Sequence, residues 1–315
     1  MSQIHPRENT TRAPLPPQLL VGSDRTITVL WYTYLCTVSL ILQFIFFIGT
    51  RKLCGWDSNF CFILLRILSL MCMIRFTTEF IASLTALFYM DWVDYQFLWI
   101  GIGSLAIAPY YTVVVLYFAI TFHRLIYTAF PFSAYDYLNK SIMKIAIAAI
   151  FLFFFTFVIV LNTDLLGVRW VDSYMTFAIM KSRNIEVFRW INTLSHYALG
   201  VVNPVAHAVL FVLLTQRKII SFRRNHEIKM TVQVLCMVIC GCLFFIYWEF
   251  VAVHGFGAWD FVIAETSNLL FFHSLVLPYL ILNERIHEQL KHFGKSYFNH
   301  LPLRNLKVNT FNYRG

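Results

Sequence analysis

Charge is what this sequence has least of. Only 13% of its residues are Asp, Glu, Lys or Arg, about half the usual share for a soluble domain. Hydrophobic residues make up 59%, and Phe alone occurs 32 times. A soluble chain of 315 residues cannot hide that much apolar surface, whereas lipid solvates it. Catalytic signatures are missing as well: there is no phosphate-cradling glycine loop, no HExxH and no serine elbow, so the expectation is a non-enzyme with no cofactor. No two of the seven cysteines are spaced as an extracellular disulfide framework. Cys236 and Cys240 share a helix face, but no His or carboxylate joins them at ligand spacing, so no metal is expected. Buried, inert thiols are the reading for most; Cys54, beside the membrane, is the one candidate for palmitoylation. No short apolar core precedes a small-residue cleavage site, so no cleaved signal peptide is expected. No internal repeat supports an inverted-repeat transporter.

What the chain does have is long apolar runs. Seven fall near 27–49, 61–88, 97–121, 141–163, 191–215, 230–253 and 261–282, each reaching the roughly 20 residues needed to cross hydrocarbon. The fold expected is all-α, a seven-transmembrane helix bundle. Residues 1–25 form an outer tail, 26–283 the bundle and 284–315 a cytoplasmic helix and tail. The net charge of +9 lies in short loops between the runs, a pattern of membrane topology rather than of nucleic-acid binding. Segments after runs one, three, five and seven hold fifteen Lys and Arg, and the opposite set seven. That excess orients the N-terminus outside a cell membrane. Asn9-Thr10-Thr11 is then a usable glycosylation sequon at Asn9. The short loop 216–229 carries Arg217, Lys218, Arg223 and Arg224, which keep positive charge inside and are candidates for contact with a cytosolic partner or anionic lipid. After run seven, Ile286, Leu290, Phe293 and Tyr297 recur as one helical stripe, capped by Asn283; this amphipathic helix is too short to span and belongs on the inner surface.

Charges inside the runs are costly and carry the functional candidates. Arg75 and Glu79 stand one helical turn apart in run two, as a self-satisfied ion pair or as a ligand-sensing pair. Trp248, Glu249, Glu265 and Asn268 lie in the outer parts of runs six and seven, either lining a pocket for a small molecule or anchoring at the interface. His196, His207 and His273 read as structural hydrogen-bonding residues before ligand contacts. Run three stops at His123-Arg124, where hydrocarbon gives way to water, and a Phe-Pro break follows at Phe130-Pro131. Pro204 and Pro278 mark bends, and Pro278-Tyr279 is a candidate switch.

Two stretches carry a resemblance. FAITFHRLIYTAFPFSAYDYLNK (118–140) is similar to the third-helix end of nematode serpentine chemoreceptors. SNLLFFHSLVLPYLILNERIHEQL (267–290) is similar to their last helix. The pattern resembles the class gamma superfamily (gamma, T, V or X). That resemblance implies a seven-helix, G-protein-coupled-type chemoreceptor in sensory-neuron cilia, with a small chemical cue as ligand and a heterotrimeric G protein as partner. It carries Arg124, Pro278 and Tyr279 over as switch residues, with His123 in place of the usual Asn. Rhodopsin-like motifs are absent: no acid precedes Arg124, run six lacks Cys-Trp-x-Pro and run seven lacks Asn-Pro-x-x-Tyr. No cysteine is available to tie the third helix to the second outer loop. The rival classes are a ligand-gated channel of inverted seven-helix type and a multi-pass transporter.

Overall fold

The computed structural model describes residues 20–56, 60–88, 90, 95–130, 133–134, 138–163, 166–179, 184–216, 225–251 and 256–300. The glycosylation candidate Asn9 and the loop cations Arg217, Lys218, Arg223 and Arg224 lie outside the described residues, as does Pro131. The helices are α1 (Gly22–Gly49), α2 (Phe60–Leu87), α3 (Gln96–Ala129), α4 (Lys140–Asn162), α5 (Ile185–Tyr197), α6 (Asn203–Gln216), α7 (Asn225–Ile246), α8 (Trp259–Ser274), α9 (Leu277–Leu282) and α10 (Glu284–His300). Ala198–Val202 joins α5 to α6 as a π-helical turn, and Tyr247–Val251 extends α7 in the same way. Six spans are long and apolar enough to cross a membrane: α1, α2, α3, α4, Ile185–Leu213 and Trp259–Leu282. A further apolar helix, Leu235–Val251, is shorter. The chain is a helical, multi-pass membrane protein.

The third span is the hub. Of its most apolar window 72% is buried, against 17% for α4, which turns most of its surface to lipid. α3 packs on α2, α4 and α6. At 34 residues it runs roughly 50 Å, well beyond the ~30 Å of hydrocarbon. The helix therefore continues past Arg124 and ends at Ala129. Phe130 precedes Pro131, whose ring disfavours α geometry in the residue before it.

Polar bridges register the helices. Ser69 of α2 donates to Gln43 Oε1 of α1 at 2.7 Å, and Thr121 of α3 donates to Asn203 Oδ1 at 3.0 Å. His207 Nδ1 lies 2.9 Å from the Asn203 carbonyl, and His273 Nδ1 lies 2.9 Å from the Ser39 hydroxyl. Both histidines thus have the structural partners their apolar faces call for.

Prolines set the breaks. Pro278 cannot donate to the Ser274 carbonyl, and its ring crowds that turn; α8 stops at Ser274 and α9 restarts at Leu277. Pro204 likewise releases the Gly200 carbonyl, and a π-helical turn sits just before it. The Cys242 thiol lies 3.9 Å from that carbonyl, the kind of weak neighbouring donor that makes proline tolerable in lipid.

The all-α expectation fails in one place. Between α4 and α5, β1 (Val168–Val171) and β2 (Thr176–Ile179) pair antiparallel, with Val168 opposite Ile179 and Val171 opposite Thr176. The hairpin lies directly on α3. A Cβ on Gly103 would meet the Val168 carbonyl oxygen at 2.6 Å, so only glycine permits the approach. Trp99 and Trp170 stack above it with centroids 6.0 Å apart and planes 15° from parallel. These contacts hold the loop to the third helix without a disulfide; all seven cysteines are free. At the far side of the hairpin turn, Asp172 pairs with Arg25 at 2.7 Å, and Leu20 N–H donates to the Ser173 carbonyl at 3.2 Å. Arg25, assigned from sequence to the tail, is instead buried in α1, which starts at Gly22.

The amphipathic helix forms as α10. The Asn283 side chain accepts from Ile286 N–H at 3.3 Å. Ile286 is fully buried, and Leu290 packs beside it against Gly49 at the end of α1. Phe293 is exposed, in the direction a surface-lying helix presents to lipid.

Candidate functional site

Beneath the hairpin the bundle buries a charged cluster. Arg75 Nη1 donates to Glu79 Oε2 at 2.9 Å, one turn along α2, and its other terminal nitrogen binds Glu265 Oε1 of α8. Thr176 of β2 donates to Glu265 Oε2 at 3.1 Å, and Phe177 places its ring 5.5 Å from the guanidinium carbon. Glu79 is fully buried, Arg75 is 3% exposed and Glu265 5%. Removing such charges from water costs several kcal/mol per ion, offset only by close pairing and full hydrogen bonding. The pairing here unites α2, α8 and β2, three elements distant in sequence.

A cavity of about 30 Å³ adjoins the cluster, walled in part by Arg75, Tyr110, His196, Trp248, Glu265 and Asn268. That is room for about two waters at ~10–15 Å³ each, and well short of the 300–1,000 Å³ typical of a drug-sized site. Its walls are aromatic. Tyr110 sits 6.1 Å from Trp248 and 6.0 Å from His196, each close to edge-on. The Trp248 indole donates to Ser267 at 3.0 Å, which fixes its ring against α8. The Tyr110 hydroxyl and Asn268 Oδ1 are buried and have no hydrogen-bond partner among the described residues.

Of the sequence candidates for the pocket, Trp248, Glu265 and Asn268 line this cavity together. Glu249 is not on its wall; it pairs with His196 Nδ1 at 2.5 Å, and His196 is. Glu79 lies behind the wall, held through Arg75. His196 and Tyr110 also line the wall and Thr176 joins through Glu265; the sequence offers His196 first as a structural hydrogen-bonding residue and singles out neither Tyr110 nor Thr176. Both π-helical turns flank the His196–Glu249 pair: one begins two residues after His196, and the other contains Trp248 and Glu249. A π-helical turn inserts one residue and rotates what precedes it, so a regular 3.6-residue wheel misplaces these side chains.

The second candidate cluster lies toward the opposite end of α3. His123 is buried between the rings of Phe60, at 5.4 Å, and Tyr127, at 4.8 Å. The Arg124 side chain lies within electrostatic range of Cys61 of α2 and of the Tyr279 phenol of α9. Tyr279 itself is buried, with its ring 6.5 Å from Phe46. His123 and Arg124 thus face the start of α2, at Phe60 and Cys61, and Arg124 also lies near Tyr279, just past the break that Pro278 imposes. Among the described residues no group of three or more His, Cys, Asp and Glu side chains is arranged to hold a metal.

No protein-family model matches the sequence, and no curated protein is similar to it.

Proposed function

We propose that this protein is a seven-transmembrane chemosensory receptor, GPCR-like in fold, and that it resembles nematode serpentine receptors of the class gamma superfamily. Leu235–Val251, with the α7 residues before it, serves as the remaining span. The hairpin end and the N-terminus face outward, and α10 lies on the cytosolic surface.

One observation carries the reading. Two polar clusters stand at opposite ends of the same helices, the aromatic, charge-lined cavity under the hairpin and the Arg124–Tyr279 group. α2, α3 and the proline-broken α8–α9 span run between them. A small molecule entering the first cluster favours one packing of these helices through contacts it makes in that packing alone. The break between Ser274 and Leu277 is where the last span changes its bend. The second cluster and the basic 216–229 loop then present a cleft to a cytosolic protein, by resemblance a heterotrimeric G protein.

The test is ligand-evoked signalling in cells, after epitope tags have fixed the topology. A tag at Met1 should be reached by antibody on intact cells, and one at Gly315 only after permeabilisation. Arg124→Ala should abolish a second-messenger response at unchanged surface expression. An intact response would remove Arg124 from the mechanism. Ligand-evoked current in a bilayer free of G protein would assign the chain to a channel, and net substrate flux to a transporter.

A further inference from the structure

We infer that the cavity beneath the hairpin binds a small primary ammonium ion, an inference that rests on the receptor reading of this site and names its ligand class. Three features converge. On the wall itself, Glu265 stands beside one guanidinium, Arg75, which it shares with Glu79, and one imidazole, His196, which is paired with Glu249. Arg75 is already engaged by two carboxylates and the Phe177 ring, so an entering anion would have to compete with both carboxylates for it at low dielectric.

Hydrogen-bonding capacity points the same way. Asn268 Oδ1 is an acceptor and the Tyr110 hydroxyl can accept; both are buried on the cavity wall without a partner among the described residues, and Tyr110 is 7% exposed. Glu265 supplies a third acceptor. These acceptors around one cavity suit the three N–H donors of a primary ammonium, whereas an alcohol has one such donor and a quaternary ammonium none. The aromatic walls complete the match, because Trp248 and Tyr110 present π-electron density, which attracts a desolvated cation. The volume of about 30 Å³ admits an ammonium headgroup and excludes a tetramethylammonium one.

The experiment uses the full-length chain in lipid nanodiscs. Methylamine and ethylamine are titrated by thermal shift and equilibrium binding. Alcohols and carboxylates of the same lengths, and tetramethylammonium, are the controls. Primary amines should bind saturably and the controls at least about tenfold more weakly, the difference that one to two charge-assisted hydrogen bonds make. Glu265→Gln should weaken amine binding by a similar factor. If Glu265→Gln does not reach the membrane, Tyr110→Phe with Asn268→Leu replaces it, with the same loss expected. Equal binding of alcohols or carboxylates, no binding by any amine, or amine binding undiminished in the variant overturns the inference. Binding is read without a signalling partner, so the two readings fail separately. Amine binding with no cellular response would sink the receptor and leave the amine site. A response to a non-amine that fills this cavity would do the reverse.

Discussion

Thr176, in the second strand of the hairpin, donates its hydroxyl to Glu265 at 3.1 Å, so the loop roofs the charged cluster and is also one of its ligands. The hairpin and the bundle interior therefore form one cooperative unit. Thr176→Val keeps the shape and deletes the donor. A hydrogen bond to a charged group contributes roughly 1.5–3 kcal/mol. Lowered thermal stability in nanodiscs, with faster amide exchange across 168–179, is the expected result; unchanged exchange would mean the hairpin is held elsewhere.

Arg75 bridges two carboxylates, Glu79 and Glu265. Arg75→Gln leaves Glu79 and Glu265 buried without their cation, a loss on the order of 3–5 kcal/mol, and surface expression should collapse. Arg75→Met combined with Glu79→Gln and Glu265→Gln removes all three charges at similar volume. Expression should return with the triple change, because the penalty is that of unpaired charge and not of lost packing. Quantitative surface labelling of the single and triple variants separates the two.

How much of this was visible in the sequence follows from the range of each interaction. The Arg75–Glu79 pair is legible because i,i+4 spacing puts both on one helix face. The runs are legible because the hydrocarbon thickness fixes their length. Glu265, by contrast, reaches Arg75 across 190 residues, and no local pattern announces such a pairing. The hairpin does leave a local signal: Val-Arg-Trp-Val and Thr-Phe-Ala-Ile, both rich in β-branched and aromatic residues, flank the turn residues 172–175. From hydropathy Arg25 reads as a charge of the tail, because hydropathy cannot see its partner, Asp172. The π-helical turns leave no trace in composition, so His196 reads like His207 and His273 rather than as part of the cavity.

Trp99 and Trp170 should be energetically coupled. Their stack anchors the hairpin to α3, where no cysteine is available. An aromatic pair contributes about 0.5–1.5 kcal/mol beyond the area it buries. A double-mutant cycle on Trp99→Leu and Trp170→Leu should return a coupling in that range. Additive effects would show that each ring contributes by burial alone.

Gly103 supplies the last prediction. It lies under the Val168 carbonyl, and a methyl there would come within 2.6 Å of a backbone oxygen, which cannot rotate aside as a flexible side chain would. Gly103→Ala must lift β1 from α3, and the Trp99–Trp170 stack and the Thr176–Glu265 bond shift with it. Alanine is the better helix former by roughly 0.8–1.0 kcal/mol, so on propensity alone the change would stabilise α3. The two effects oppose each other, and steric contact with fixed backbone is the larger. Thermal stability should fall, and a cysteine-reactive probe at Thr176→Cys should react faster in the Gly103→Ala background. A rise in stability with unchanged labelling would mean that the hairpin does not rest on Gly103.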